Sequence, residues 1–221
     1  MTQKAEFDRH LIVLAHGILK DSKDMEFLEE GLLSHGFKTI SVDLPLTFGT
    51  LEEACKSLEK QIEMEFNLYD VVHFVGYSMG GLVIQRFLSM NKLNNIGYCV
   101  FIGTPNRGSK LANIVAAIPG LGMIFKPLKD LKTSRKLDDI FKHNKNIKIG
   151  VIAGTKNDPL HSRLLLSPSS DGMVEVYSAK LDKMHEFTHF HYAHKNIHFQ
   201  EDVLTAVCSF LKNGTFNNKQ G

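Results

Sequence analysis

Short apolar segments alternate with amphipathic helical patterns along almost the whole chain, and this alternation constrains the fold more than any other feature. The predicted strands are residues 11–15, 37–42, 71–75, 98–102, 147–153 and, less regular, 186–192. Strands that are apolar throughout need helices over both faces, which is the arrangement found in parallel sheets. The sequence therefore predicts an α/β fold with about six mostly parallel strands and helices on both faces of the sheet.

Residues at the expected ends of helices support this interpretation. Thr50 and Glu53 have the spacing of a capping box ahead of an apolar helix face. Gly36 and Gly214 stand where a glycine ends a helix. We therefore expect helices before Gly36, after Thr50 and before Gly214.

Composition excludes several classes of protein. The formal net charge is only +2, which gives no reason to expect a nucleic-acid partner. The 3 cysteines, Cys55, Cys99 and Cys208, are odd in number and far apart, so they indicate a reducing compartment and no disulfide framework. No apolar run approaches the ~20 residues of a spanning helix, and the first residues do not have the pattern of a secretory signal. We expect a soluble cytoplasmic protein with no transmembrane segment.

A candidate nucleophile lies in the segment GYSMG at residues 76–80. The segment follows a predicted strand directly and precedes a helical pattern, as in a nucleophile elbow. Glycines two residues before and two after Ser78 would let the chain turn sharply without collisions, and the following helix would offer free amides to a developing oxyanion. A phosphate-binding turn would require a Lys and a Ser or Thr after the glycines, but Leu82, Val83 and Ile84 follow. The sequence predicts that Ser78 is a nucleophile.

The chain resembles the small bacterial esterases and lipases of the α/β-hydrolase superfamily, related to the minimal triacylglycerol lipases. Four segments carry the resemblance: VLAHGI at 13–18, FVGYSMGG at 74–81, FIGTPNRGS at 101–109 and SDGMV at 170–174. The first two are shared across the superfamily, and the last two are more particular to this group. Tyr77 departs from the pattern, because many relatives have His there; the change bears on specificity more than on mechanism.

The resemblance implies an α/β-hydrolase fold and one domain over residues 1–221, with its core at about 10–213. Residues 104–146 interrupt the alternation of strands and helices. They are expected to form either an ordinary crossover helix or a small lid-like insert over the end of the sheet. In either case no separate cap domain fits, so the lid is small or absent.

The general base is expected after Ser78, because the triad of this fold runs Ser, acid, His along the chain. The histidines near the C-terminus are His185, His189, His191, His194 and His198. His194 lies just beyond the last predicted strand, and the family pattern places its base at the same offset; His198 is the alternative. The spacing of His194 and His198 would suit zinc on a helix, but no helix is predicted there and no Glu follows His194, so no metal is expected.

Two aspartates are candidates for the acid. Asp158 lies at the end of the fifth strand in a turn-forming Asn-Asp-Pro sequence, and position alone favours it. The resemblance favours Asp171, since the Asp-Gly-x-Val signature carries the acid in these lipases, and we take Asp171. The oxyanion hole is expected to use the backbone amide of Met79, directly after the nucleophile, and, by resemblance, that of Ile18.

The expected function is hydrolysis of a small acyl ester or lipid-like substrate through a Ser-His-Asp triad and an acyl-enzyme, with no cofactor. Apolar residues in 111–125 are candidates to line or cover an acyl pocket. The same residues would serve a thioesterase or an acyltransferase. A non-catalytic protein of the same fold that binds a lipid or a partner is the alternative from another class.

Overall fold

The computed structural model describes residues 9–108, 143–144, 146–157 and 166–216. Within these residues, six strands form one sheet in the order β2-β1-β3-β4-β5-β6, and every neighbouring pair is parallel. The strands are β1 (His10–Ala15), β2 (Lys38–Val42), β3 (Val71–Tyr77), β4 (Ile96–Ile102), β5 (Ile149–Gly154) and β6 (Glu186–Phe190). The prediction of a six-stranded parallel α/β fold is confirmed.

Three helix ends lie where the sequence indicates them. The helices are α1 (Glu26–Ser34), α2 (Leu51–Phe66), α3 (Met79–Met90), α4 (Val176–Ala179) and α5 (Glu201–Asn213), with 3₁₀ turns at Ser22–Met25 and His194–Phe199. Thr50 and Glu53 form a complete capping box at the start of α2. Gly214 ends α5 in the left-handed conformation, with φ of 73°, and Gly36 follows α1 with φ of 90°. These predicted boundaries are confirmed.

Both faces of the central strands β1, β3 and β5 are buried, which explains why these strands are mostly apolar, whereas the edge strands β2 and β6 keep polar and partly exposed residues. In β1, Leu11, Val13 and Ala15 face the cluster that contains the apolar side chains of α2 and α3. Ile12 and Leu14 face the opposite cluster, which contains those of α1 and α5. Since successive strand residues point to opposite faces, a strand with helices on both sides needs an apolar residue at every position.

The order of the strands determines where the chain can build a site. β1 lies between β2 and β3, so the connection after β1 and the connection after β3 leave the sheet on opposite sides. Ala15 pairs with Gly76, which places the carboxyl ends of β1 and β3 side by side. Crevices at such a switch point are where open parallel sheets bind their ligands.

The segment predicted as a crossover helix or lid falls largely outside the described residues. Of residues 104–146, the structure describes 104–108, 143–144 and 146, and the apolar stretch 111–125 is not among them. Among the residues that the structure describes, no helix is long and apolar enough to cross a membrane.

Candidate active site

Ser78 occupies a sharp turn between β3 and α3. Its backbone has φ of 51° and ψ of −122°, a region that residues other than glycine rarely adopt. A Cβ atom at Gly76 would lie 2.5 Å from the Cα atom of Gly81, and one at Gly80 would lie 2.5 Å from the carbonyl oxygen of His16. The two glycines are therefore required for the close approach of β3, α3 and the end of β1, as the motif predicts.

A continuous chain of hydrogen bonds joins the three side chains predicted as the triad. The Ser78 hydroxyl donates to Nε2 of His194 over 3.0 Å, and Nδ1–H of His194 donates to Oδ2 of Asp171 over 2.7 Å. All three residues are buried. The structure thus brings together a serine from the end of β3, an aspartate from the segment after β5 and a histidine from the segment after β6.

The backbone around Asp171 fixes the orientation of its carboxylate. Oδ1 accepts hydrogen bonds from the amides of Met173, at 2.9 Å, and Val174, at 2.7 Å, while Oδ2 faces the histidine. Gly172 supplies the tight turn with φ of 94°. Asp158, the other candidate acid, lies outside the described residues.

Gly103 leaves room for the His194 ring, a role that the sequence analysis missed. It follows β4 with φ of +57°, and a Cβ atom there would lie 3.2 Å from both Cε1 and Nδ1 of His194 and 3.5 Å from Oδ2 of Asp171. The sequence signal for this role was the position of the glycine, at the end of a strand and within the FIGTPNRGS motif. Its partners only become visible when the segments are brought together.

The two residues predicted to supply oxyanion amides lie on either side of the serine. Met79 is the first residue of α3, whose opening amides have no partner within the helix. Ile18 follows Gly17, where a Cβ atom would lie 3.1 Å from the Cβ of Ser78. The loop after β1 therefore approaches the serine closely.

His16 links this loop to the segment after β2. Its Nε2 accepts a hydrogen bond from the amide of Leu44 at 2.9 Å, so the ring proton is on Nδ1 and is donated to the carbonyl of Gly17 at 2.8 Å. Burial lowers the pKa of His16, which favours the neutral ring that this pair of bonds requires. His16 therefore has a structural role, because it joins the loop after β1 to the segment after β2.

The expectation of no helix around His194 and His198 is wrong, because a 3₁₀ turn covers His194–Phe199. In a 3₁₀ turn, with three residues per turn, side chains four residues apart do not share a face as they do in an α-helix. Accordingly, Nε2 of His198 bonds to Oδ2 of Asp24 at 3.0 Å and not to the site of His194. Among the described residues, no group of three His, Cys, Asp or Glu side chains is arranged to hold a metal ion.

Comparison with known proteins finds one matching family and several structures with a similar fold. A family described as "Putative serine esterase (DUF676)" matches residues 5–104, which include Ser78 and the loop after β1. No curated protein matches the sequence significantly.

Several solved structures have the same fold. The mature lipase BlEst2 of Bacillus licheniformis has a TM-score of 0.76 at 19% identity, covering 93% of this chain and 91% of that chain. The metagenomic carboxyl esterase MGS0156 has a TM-score of 0.69 at 14% identity, covering 85% and 65%. A structure reported for the metagenome-derived lipolytic enzymes LipS and LipT has a TM-score of 0.64 at 13% identity, covering 92% and 94%. The comparisons confirm the predicted α/β-hydrolase fold and the prediction of an ester-hydrolysing enzyme.

Proposed function

We propose that the chain, an ester-hydrolysing enzyme of the α/β-hydrolase fold, is a serine carboxylester hydrolase that uses Ser78 as nucleophile, His194 as general base and Asp171 as the orienting acid. One observation carries the proposal. The Ser78 hydroxyl, both ring nitrogens of His194 and the Asp171 carboxylate form one buried hydrogen-bonded chain. This chain lies at the start of a helix and at the switch point of the sheet, where a substrate carbonyl can reach the serine.

The first half of the reaction forms an acyl-enzyme. Nε2 of His194 takes the proton of Ser78 as its Oγ attacks the carbonyl carbon of the ester. The tetrahedral intermediate collapses, and the departing alcohol receives that proton from His194. Asp171 keeps the other ring proton on Nδ1 and stabilises the imidazolium while it exists.

The second half regenerates the serine. Water takes the place of the alcohol, His194 removes one of its protons, and the resulting hydroxide attacks the acyl carbon. The carboxylic acid leaves as Ser78 recovers its proton from His194. Each step uses only side chains and amides of this chain, so the proposal includes no metal or organic cofactor.

The negative oxygen of each tetrahedral intermediate is assigned to the backbone amides of Met79 and Ile18. Met79 opens α3, so the positive end of the helix dipole adds to its amide. Ile18 follows the closest approach of the β1 loop to Ser78. In comparable sites one such donor is worth about 10²–10³-fold in kcat.

The proposed substrate class is a small acyl ester or lipid-like ester. Support comes from the serine esterase family match and from neighbours described as a lipase, a carboxyl esterase and lipolytic enzymes. The matching thioester is the sharpest competitor, because the same nucleophile and base would cleave it.

The test is a series of nitrophenyl esters with acyl chains from short to long, assayed with EDTA present and compared with a thioester of the same acyl group. We expect hydrolysis that is insensitive to EDTA, lost in Ser78→Ala, and faster for the oxygen ester. Absence of turnover on every ester, or equal turnover by Ser78→Ala, would overturn the proposal. If the enzyme strongly prefers the thioester, the proposed activity becomes thioester hydrolysis instead of carboxylester hydrolysis.

A further inference from the structure

Tyr77, the residue before the nucleophile, touches three parts of the site with one buried side chain. Its hydroxyl donates a hydrogen bond to the backbone oxygen of His194 over 2.9 Å. Its ring packs against Gly17, where a Cβ atom would lie 3.2 Å from Cε1 of the tyrosine. Tyr77 also precedes Ser78 directly and pairs with Ile102 in the sheet. It therefore connects the nucleophile, the base and the loop after β1 that contains Ile18.

Tyr77 adds to His194 a side-chain hydrogen bond that comes from neither Ser78 nor Asp171. The amide of His194 donates to the carbonyl of Asp171 at 2.8 Å, and its ring bonds to the carboxylate of Asp171 and to Ser78. The Tyr77 hydroxyl therefore holds the carbonyl side of the His194 backbone from β3. The tilt of the imidazole between Asp171 and Ser78 depends on that backbone.

The ring of Tyr77 is itself held from behind. It stacks on His198, with ring centroids 3.8 Å apart and planes at 23°, and His198 is fully buried. Nε2 of His198 bonds to Asp24, which pairs in turn with Lys20 at 2.6 Å. A row of contacts thus runs from the 3₁₀ turn at Ser22–Met25 through His198 and Tyr77 to the backbone of the base.

We propose that Tyr77 is a positioning residue for His194, holding the base in line with Ser78 and Asp171 through its hydroxyl, with His198 and Asp24 fixing the tyrosine ring. This inference rests on the proposed function for its effect on catalysis. It assigns a role in the mechanism to a residue that the sequence related to specificity more than to mechanism.

The Tyr77 hydroxyl keeps its proton and can therefore act as a permanent hydrogen-bond donor. Burial, together with the carboxylates of Asp171 and Asp24, raises the pKa of Tyr77 far above its usual value. The phenol therefore stays neutral across the working range of the enzyme, and its proton is always available to the carbonyl of His194. Replacing it by phenylalanine removes the donor and leaves the ring against His198 and Gly17.

The test compares Tyr77→Phe with Tyr192→Phe. Tyr192 is a matched control, because it also precedes His194 closely but its hydroxyl donates to Asp202 in α5, away from the base. Each variant is measured for kcat and KM on a short nitrophenyl ester, for its rate of labelling by a fluorophosphonate and for its thermal midpoint. Protein labelled with ¹⁵N-histidine gives the NMR signal of the Nδ1 proton of His194, assigned by its loss in His194→Asn.

We expect Tyr77→Phe to lower kcat about 10-fold with KM nearly unchanged, because a misplaced base slows chemistry more than binding. Labelling should slow in parallel, and the Nδ1 proton signal should broaden through faster exchange. Tyr192→Phe should stay within about two-fold of wild type. His198→Phe, which keeps a ring against Tyr77 but loses Asp24, should give a smaller decrease in kcat.

The proposal is overturned if Tyr77→Phe keeps both kcat and the Nδ1 proton signal, or if Tyr192→Phe loses as much activity as Tyr77→Phe. If wild type hydrolyses no ester, the proposed function fails, and the NMR comparison still decides the role of Tyr77. An unchanged signal in Tyr77→Phe then rejects it, and a broadened one supports it.

Discussion

At the scale of single residues, the tautomer of His194 decides whether the site can act. Nε2 must be free of a proton to accept one from Ser78, so the ring proton has to stay on Nδ1. Oδ2 of Asp171 lies 2.7 Å from Nδ1, and the amides of Met173 and Val174 hold the other carboxylate oxygen. The aspartate thereby selects the tautomer that the proposed mechanism needs.

Asp171→Asn is expected to lower kcat about 10⁴-fold with little loss of folding. The asparagine oxygen can still accept from Met173 and Val174, but its NH₂ group would face Nδ1 and push the ring proton to Nε2. Kinetics on a nitrophenyl ester measure the effect. Asp158→Asn is the matched control and should remain within about two-fold of wild type. A severe defect in Asp158→Asn with an active Asp171→Asn would reverse the assignment of the acid.

Gly103→Ala is expected to reduce kcat by about 10²-fold, because the added methyl group would push the His194 ring from its place. Gly214→Ala is the matched control. Its φ of 73° carries a similar backbone penalty, but its neighbours are Lys148 and Tyr98, far along the sheet from Ser78. The thermal midpoint of unfolding should fall in both variants, whereas kcat should fall only in Gly103→Ala. Equal activity in the two would contradict the role given to Gly103.

The residues proposed to carry the chemistry could be named from the sequence, but those proposed to position them could not. Ser78 stands in a local five-residue pattern, and Asp171 and His194 follow in the order that the resemblance implies. Gly103 and Tyr77 contact His194, which is distant in the chain. No local periodicity encodes such contacts, so only the folded arrangement reveals them.

At the scale of elements, the junction of β3 and α3 is packed backbone against backbone. β3 runs two residues beyond its predicted end, to Tyr77, because Gly76 and Tyr77 continue the pairing with Phe101 and Ile102 of β4. A glycine in the sequence suggests a turn, but here it lets the strand continue beneath a helix. The 3₁₀ turn at His194–Phe199 was also missed, since one short turn leaves no apolar periodicity.

Gly80→Ala is expected to destabilise the fold by about 1–3 kcal/mol, because the new methyl group would overlap the carbonyl oxygens of Ala15 and His16. Backbone atoms cannot turn aside as a side chain does. Gly31→Ala in α1 is the comparison, since the nearest atoms to its methyl group would belong to the side chain of Leu204 and not to backbone. In urea unfolding, the free energy of unfolding should fall clearly more in Gly80→Ala than in Gly31→Ala. A smaller loss in Gly80→Ala than in Gly31→Ala would contradict this packing.

At the scale of the whole molecule, one sheet covered on both faces provides the apolar core and determines where the site lies. The two apolar clusters lie on opposite faces of the sheet, and the site lies at the edge where β1 and β3 end. This burial also encloses His73 and His198. Burial lowers the pKa of His73 to about 3 and that of His198 to about 4.

Stability is therefore expected to fall as the pH decreases from about 6.5 toward 4. In this range the unfolded chain, with histidine pKa values near 6.5, binds protons that the folded chain excludes. Each of the two histidines then removes about 1.4 kcal/mol per pH unit from the free energy of unfolding, and its contribution is complete above pH 6.5. Urea unfolding at pH 7 and pH 5 measures this, and His73→Gln should reduce the slope. Equal stability at the two pH values would contradict the burial of neutral histidines.

The central claim is that Ser78 is a nucleophile activated by His194, and labelling by a fluorophosphonate followed by mass spectrometry tests it most directly. The account predicts one label per chain on the peptide that contains Ser78, none on Ser78→Ala, and much slower labelling of His194→Ala. Ser89→Ala, which removes a serine near the end of α3, should label like wild type. Absence of label on the native protein, or equal labelling of Ser78→Ala, would contradict the account.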